Sequence, residues 1–298
     1  MPELPEVETT VNQLKRKILE RKITDVWCDN PKMIKEATLG KVINANLQKL
    51  KKNITGRRVE DIKRRGKNIL IELDNDETLL IHQKLTGHLL LGRWRMVNGQ
   101  WQPITRGVLA EKINKYIHLI LWLDDGRMLI LSDLRKFAKV VYGKRRELLN
   151  LPEIKKLGPE PLDENFTFES FKETISKTRG EIKQVLMNQK VIAGIGNIYS
   201  NEILWQAKIN PFKKTQRLTQ EELKRIDRAM RQLLKKAIEL RGESISDWRD
   251  TEGKEGGYDK IRKVYRRGGN PCPRCGAMIQ KKKIGGRSTY FCPLCQPL

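Results

Sequence analysis

Four cysteines, arranged as Cys272-Pro-Arg-Cys275 and Cys292-Pro-Leu-Cys295, constrain this chain more than any other feature of its sequence. Two C-x2-C pairs separated by sixteen residues supply four thiolates at the spacing of a tetrahedral zinc ribbon. The intervening segment, Met278 to Tyr290, is predicted to form a hairpin too small to bury a core, so the metal would supply the folding energy. Four protein ligands leave no open coordination position, which makes the single Zn2+ structural. Disulfides or an iron–sulfur cluster are the other chemistries open to the same residues; spacing and compartment favour zinc. Cys28 stands alone and reads as a small buried hydrophobe.

The charge balance narrows the partners. Sixty Lys and Arg against 36 Asp and Glu leave +24, an excess for which a polyanion is the first hypothesis, since bound cations release condensed counterions. Ribosomal, membrane-surface and thermophilic proteins share such a balance, so its distribution matters more. Between Lys260 and Leu298 there are ten basic residues and no acid, which places the charge on the ribbon and its approach. No apolar run reaches the roughly 18 residues of a membrane span, and no secretory leader precedes MPELPEVE. A soluble chain in a reducing, cytoplasmic compartment is expected.

Periodicity divides the 298 residues. Val7, Val11, Leu14 and Ile18 recur at helical spacing over Glu3 to Leu19, with Pro2 and Pro5 at the threshold. Short β-rich runs follow: Asn68 to Leu73, Thr78 to His82, Ile117 to Leu123, Met128 to Ser132 and Ala138 to Tyr142. They predict an antiparallel sandwich or barrel. Beyond Gly158-Pro159-Glu160-Pro161 the pattern turns helical at Phe168 to Ser176, Glu181 to Met187, Ile198 to Ala207 and Thr219 to Leu240. The last opens on a capping box formed by Thr219 and Glu222. Gly194-Ile195-Gly196-Asn197 is either a packed helix-to-helix turn or a cradle for a phosphate.

Met1 precedes a small residue and is of the kind commonly removed, which would make Pro2 the terminus. A secondary amine there attacks an anomeric carbon to give an iminium ion directly, and Glu3 or Glu6 can act as general acid or base. The same residues equally suit a plain helix start.

Six blocks in order carry a resemblance: MPELPEVET at the start, RRGKNILIEL at 64–73, HQKLTGHL at 82–89, SDLRKF at 132–137, GIGNIYSNEILW at 194–205, and the ribbon with RSTYFC at its end. Together they resemble the formamidopyrimidine-DNA glycosylases, bacterial base-excision enzymes that remove oxidised purines. The resemblance implies an α+β multidomain chain. Residues 1–150 would form an antiparallel β-sandwich with a leading helix, 151–257 a helix–two-turn–helix domain, and 258–298 the zinc ribbon, with damaged double-stranded DNA across the cleft between halves. It further implies that Pro2 is the Schiff-base nucleophile at C1′ and that Glu3 is its acid/base partner. Lys67 would contact the lesion's phosphodiester and donate a proton in β-elimination, and Arg287 would grip phosphates and assist δ-elimination. Leu85, Arg135 and Phe137 would fill the void left by the extruded nucleotide, and Glu6, Tyr116, Lys183, Asn197 and Tyr199 are the remaining DNA-facing positions.

Departures from the family pattern fall at the void-filling loops. Leu85 stands where methionine is usual, and Asp133-Leu134-Arg135-Lys136-Phe137-Ala138 replaces Asp-Pro-Arg-Arg-Phe-Gly. Tyr116 replaces a histidine, with His118 retained, and the segment from Arg93 to Lys115 aligns poorly and has no assigned role. The expected activity is removal of 8-oxoguanine and formamidopyrimidines followed by β,δ-elimination, in a monomer associated with the nucleoid. An endonuclease VIII-like enzyme for oxidised pyrimidines, or a non-catalytic zinc-ribbon DNA-binding protein, are the alternatives. Leu4 in PELPEV, where the pyrimidine branch has glycine, favours purines. Base choice is expected to rest on a capping loop within Ser244 to Gly257.

Overall fold

The computed structural model describes residues 1–105, 107–244 and 247–298. Contacts gather these into two compact units, Met1–Lys156 with Arg241–Gly257, and Leu157–Leu240 with Tyr258–Leu298. Three successive segments are expected from the sequence; the structure groups them differently for two physical reasons. Residues 241–257 turn back onto the first helix, where the Gln13 side-chain oxygen accepts Thr251 N–H (2.9 Å) and hydroxyl (2.8 Å). The ribbon in turn packs on helices of the second unit.

In the first unit, α1 (Leu4–Ile18) buries Val7, Val11, Leu14 and Ile18 and places Lys15, Arg16 and Lys17 in its last turn, where cations suit the helix dipole. The strands are β1 (Ile23–Cys28), β2 (Ile34–Thr38), β3 (Lys41–Asn44), β4 (Val59–Arg65), β5 (Asn68–Leu73), β6 (Glu77–His82), β7 (His88–Gly92), β8 (Trp94–Val97), β9 (Gln100–Pro103), β10 (Ile117–Leu123), β11 (Met128–Ser132) and β12 (Lys139–Lys144). Helix α2 (Leu47–Ile54) joins β3 to β4, and the short helices α3 (Arg145–Leu149) and α4 (Pro152–Lys155) follow β12. One sheet runs β1-β10-β11-β7 and the other β3-β2-β12-β6-β5-β4. The expected antiparallel sandwich holds throughout these two sheets except at β12, which runs parallel to β2 with Val140 opposite Ile34. Parallel neighbours need a crossover, and strands β3 to β11 supply the intervening chain.

The sandwich core is shared by both sheets and by α1, with Leu89, Leu121, Leu131, Ile71, Ile81 and Val140 facing inward. Strand β10 is also apolar on its outer face, where Ile120 and Trp122 join Leu90, Ile130 and Trp94. That face is covered by the β8–β9 hairpin. Trp101 stands edge-on to Trp27 at 5.7 Å and to Trp122 at 5.8 Å. Trp94, Trp101 and Leu109, in a segment to which the sequence assigns no role, therefore cover an otherwise exposed apolar sheet.

The second unit holds α5 (Phe168–Ser176), α6 (Ile182–Met187), α7 (Asn197–Ala207), α8 (Gln220–Glu239) and the hairpin β13 (Gln280–Ile284) and β14 (Arg287–Phe291). Helix α8 starts on the expected capping box, with Glu222 N–H donating to the Thr219 hydroxyl and Thr219 N–H to the Glu222 carboxylate. Trp205 of α7 packs with Val264, Ile279, Tyr290, Cys272 and Cys292. The buried Glu202 carboxylate accepts the N–H groups of Lys263, Val264 and Tyr265 at 2.7, 2.8 and 2.7 Å, which anchors the approach to the ribbon on α7. Among the described residues no helix is long and apolar enough to cross a membrane.

Replacing Trp101 with Ala should uncover the outer face of β10 and cost about 2–4 kcal/mol of stability. Thermal denaturation followed by tryptophan fluorescence measures the loss, and an unchanged melting point would mean that the hairpin is not a structural cover.

Candidate active site and metal centre

The start of α1 is buried rather than frayed. Pro2 is enclosed, and Glu3 and Glu6 are 2% and 1% exposed. Glu6 pins this geometry: its Oε2 accepts the Glu3 N–H at 2.7 Å and its Oε1 the Glu243 N–H at 2.7 Å. Gly242 makes the second bond accessible, because a Cβ there would come within 2.6 Å of Glu6 Oε1 and its φ of +73° already disfavours other residues. Glu6 therefore holds the terminus in place through backbone donors.

Lys67 lies in the tight β4–β5 connection after Gly66 and is 6% exposed. Its charge is felt at the Met1 α-amine, as are those of Glu3 and Glu6. Burial lowers that amine below its ordinary pKa of 8.0, Lys67 adds to the effect, and the two carboxylates oppose it. Carboxylates and a lysine around the start of the chain are the company that a nucleophilic amine needs for acid/base chemistry. His82, at the end of β6, belongs to the same neighbourhood, although nothing in the sequence but its place in HQKLTGHL points to it. Burial, then Lys84, Lys67 and Lys139, push its imidazole down to about 3, and the neutral Nδ1 accepts the Lys84 N–H at 3.0 Å.

Two loops stand beside this neighbourhood. The first, 83–87, closes with Gly87 N–H donating to the Gln83 carbonyl at 3.0 Å. Gly87 is required here, since a Cβ would meet that carbonyl at 2.4 Å. Leu85 is half-buried on this loop. The second, 133–138, exposes Arg135 and Phe137, with the guanidinium 4.7 Å from the ring centroid. Leu85 and Phe137 line a cavity of about 640 Å³ whose wall also carries Lys32, Lys84, Lys136 and Lys139. Tyr116, where the resemblance implies a DNA contact, is half-buried just before β10.

In the second unit the expected residues divide by burial. Arg287 is exposed at the start of β14, and Asn197 is half-buried as the first residue of α7. Lys183 and Tyr199 are fully buried. The Lys183 ammonium donates to Asn197 Oδ1 at 2.7 Å, the Ser288 carbonyl at 2.9 Å and Thr289 Oγ1 at 2.9 Å, so its hydrogens are matched by three oxygens inside the protein. Tyr199 stacks on Tyr258 with centroids 5.2 Å apart. Lys183 thereby ties the start of α7 to β14 from within. Burial of this kind has no local sequence signature.

Cys272, Cys275, Cys292 and Cys295 bring their sulfur atoms within 4.8 Å of one another. The Cys272–Cys295 and Cys275–Cys292 separations are 3.9 and 3.4 Å. A tetrahedral ion with Zn–S bonds of about 2.3 Å places its sulfurs about 3.8 Å apart, so the donor set fits zinc. Outer hydrogen bonds support it: Trp205 Nε1 donates to Cys272 Sγ at 3.4 Å, and the Cys295 N–H to Cys292 Sγ at 3.4 Å. The site is one structural zinc site, and zinc bound there supplies folding free energy to the ribbon.

A helix-led β-sandwich, a helix–two-turn–helix unit and a four-cysteine ribbon together define a class of zinc-ribbon DNA-repair folds. The chain matches the formamidopyrimidine-DNA glycosylase N-terminal domain over residues 1–140, the formamidopyrimidine-DNA glycosylase H2TH domain over 157–249, and the zinc finger found in FPG and IleRS over 269–298. It is 40% identical over 296 residues to the formamidopyrimidine-DNA glycosylase of Pelotomaculum thermopropionicum, covering 99% of each chain. Among solved structures it resembles Lactococcus lactis Fpg complexed with abasic-site DNA (TM-score 0.83, 34% identity, 99% and 100% of the two chains). It also resembles MutM in complex with carbocyclic 8-oxo-G DNA (TM-score 0.83, 34% identity, 100% of both). The chain belongs to the formamidopyrimidine-DNA glycosylase family.

Two outcomes follow. Cys275→Ser should lose most of the bound zinc and lower the melting temperature, which metal analysis by atomic absorption and calorimetry will read; full zinc content would contradict the four-thiolate set. For His82, the folded ring resists protonation down to about 3 whereas the unfolded ring protonates near its ordinary 6.5. Its contribution is intact above pH 6.5 and is lost as pH falls towards 3, by about 1.4 kcal/mol per pH unit. His82→Gln should flatten the fall of stability over that window in denaturant titrations; an unchanged slope would place the acid sensitivity elsewhere.

Proposed function

We propose that this chain is a base-excision DNA glycosylase and abasic-site lyase acting on oxidised purines such as 8-oxoguanine and formamidopyrimidines. The observation that carries the reading is the burial of the chain's start beside Glu3 and Lys67, in a member of this family. Removal of Met1 would turn the enclosed Pro2 nitrogen into a free secondary amine. That amine attacks C1′, the bond to the base breaks, and the base leaves as the iminium forms once the sugar ring opens. Glu3 hands over the proton that ring opening needs. Lys67 holds the lesion's phosphodiester and returns a proton during β-elimination, and Arg287 grips phosphates for δ-elimination.

Reaching C1′ requires extruding the nucleotide, at a cost of a few kcal/mol for unstacking. Leu85, Arg135 and Phe137 offset that cost by occupying the gap, as plug, cation and aromatic wedge. Asn197 meets the backbone directly at the start of α7. Lys183 serves the same interface by fixing Asn197 and β14, and Tyr199 remains a phosphate-facing position that the family resemblance implies. Glu6 acts through the placement of Glu3. The same reading puts the protein in the cytoplasm, associated with the nucleoid, as a monomer on damaged duplex.

Borohydride trapping on duplexes carrying 8-oxoguanine, an oxidised pyrimidine or an abasic site tests this. The expected result is a covalent adduct on the first and third. An adduct favouring the pyrimidine would move the chain to the endonuclease VIII-like branch, and none on any duplex would leave only DNA binding. Pro2→Gly and Glu3→Gln should each slow base release about a hundredfold or more with duplex affinity nearly unchanged. Parallel loss of affinity would mark both residues as structural.

A further inference from the structure

Asp133 is fully buried at the head of the wedge loop, and its carboxylate gathers donors from two loops. Oδ1 accepts the Arg135 N–H at 3.2 Å and the Thr86 hydroxyl, while Oδ2 accepts the Ala138 N–H at 2.7 Å. One group thus ties the middle and end of loop 133–138 and reaches across to loop 83–87. The contacts continue on the far side of Thr86. Its carbonyl faces His88 Nδ1 at 3.1 Å. His88 Nε2 lies 2.9 Å from Asn114 Oδ1, and Asn114 Nδ2 donates to the Val108 carbonyl at 2.7 Å, so the one proton of a neutral ring serves either the Thr86 or the Asn114 oxygen. Thr86, His88 and Asn114 are 5%, 0% and 1% exposed.

We infer that Asn114, His88, Thr86 and Asp133 form a hydrogen-bonded brace that locks the plug loop and the wedge loop into one preformed unit, with His88 and Asn114 as positioning residues for insertion into DNA. This rests on the void-filling reading of Leu85, Arg135 and Phe137 given above. A buried carboxylate is costly unless its oxygens are met, and the Asp133 carboxylate is met only when Thr86, Arg135 and Ala138 stand together, so it favours one relation between the two loops, with His88 behind the Thr86 carbonyl. The side chains at the loops' outer ends remain available: Arg135 and Phe137 are exposed and Leu85 is half-buried. Leu134 leaves the wedge loop without the fixed φ that a proline would impose, and the brace supplies the missing order. Order in advance matters because insertion otherwise bears the entropy of fixing both loops. The segment before β10 thus meets both features, Leu109 packing against the outer sheet and Asn114 reaching His88.

The test compares Thr86→Val and His88→Phe, which keep shape and lose hydrogen bonds, with Thr86→Ser, which keeps the hydroxyl. Each is measured in single-turnover excision of 8-oxoguanine from paired duplex, and in borohydride trapping at a preformed abasic site, where no base has to be extruded. A fluorescent 2-aminopurine opposite the abasic site reports loop insertion on binding alone. Thr86→Val and His88→Phe should slow excision about tenfold, the equivalent of one lost buried hydrogen bond. They should also blunt the fluorescence rise while abasic-site trapping stays at the wild-type level, and Thr86→Ser should restore both. Equal loss on both substrates, or wild-type excision and fluorescence in every variant, would overturn the brace. Failure of the wild-type chain to trap on any duplex would sink the glycosylase reading instead, and the fluorescence comparison would still decide for or against the brace.

Discussion

The Glu6 carboxylate is the interaction on which the rest of the molecule's chemistry depends. A chain terminus is ordinarily the most mobile part of a domain, and a reactive amine there would have no fixed surroundings. Here two backbone N–H groups, from Glu3 and Glu243, satisfy both oxygens of one buried carboxylate and hold the first turn of α1 against the returning segment. The desolvation of Glu6 is offset by these charge-assisted bonds and by the positive end of the helix. The same packing removes water from the amine and sets Glu3 and Lys67 within reach of its charge.

The sandwich contributes rigidity. Its four-stranded sheet is apolar on both faces, with the inner face turned to the shared core and the outer closed by Trp94 and Trp101 of the β8–β9 hairpin. Strands buried on both sides cannot slip by one register position without exchanging two hydrophobic surfaces, and the loops at their ends inherit that definition. The plug loop leads into β7 and the wedge loop follows β11, neighbouring strands in the same sheet. Two loops far apart in sequence are thereby placed on adjacent strand ends, where Thr86 meets Asp133 and Arg135.

Much of this was legible before any coordinates. Strands β5, β10 and β11 and helix α5 match their expected spans residue for residue, because alternation, apolar runs and caps are local properties. The zinc site was legible from cysteine spacing alone. The candidate active site was legible only through resemblance, since Pro2, Glu3 and Lys67 each have an ordinary local explanation. What could not be read was burial. Lys183 and Arg135 look alike as letters, yet one is sealed among Asn197, Ser288 and Thr289 while the other faces solvent.

The sequence by itself determined the ribbon, the helical and strand periods and the excess of +24. Only the tertiary structure decided that Glu243 and Thr251 return to α1, that Glu6 accepts backbone donors, that His82 stands near Lys67, and that the β8–β9 hairpin covers a sheet. The physical reason is the range of the forces involved. Hydrophobic period, capping and ligand spacing act over a few residues, whereas desolvation and hydrogen bonding between distant segments depend on which surfaces the whole fold brings together.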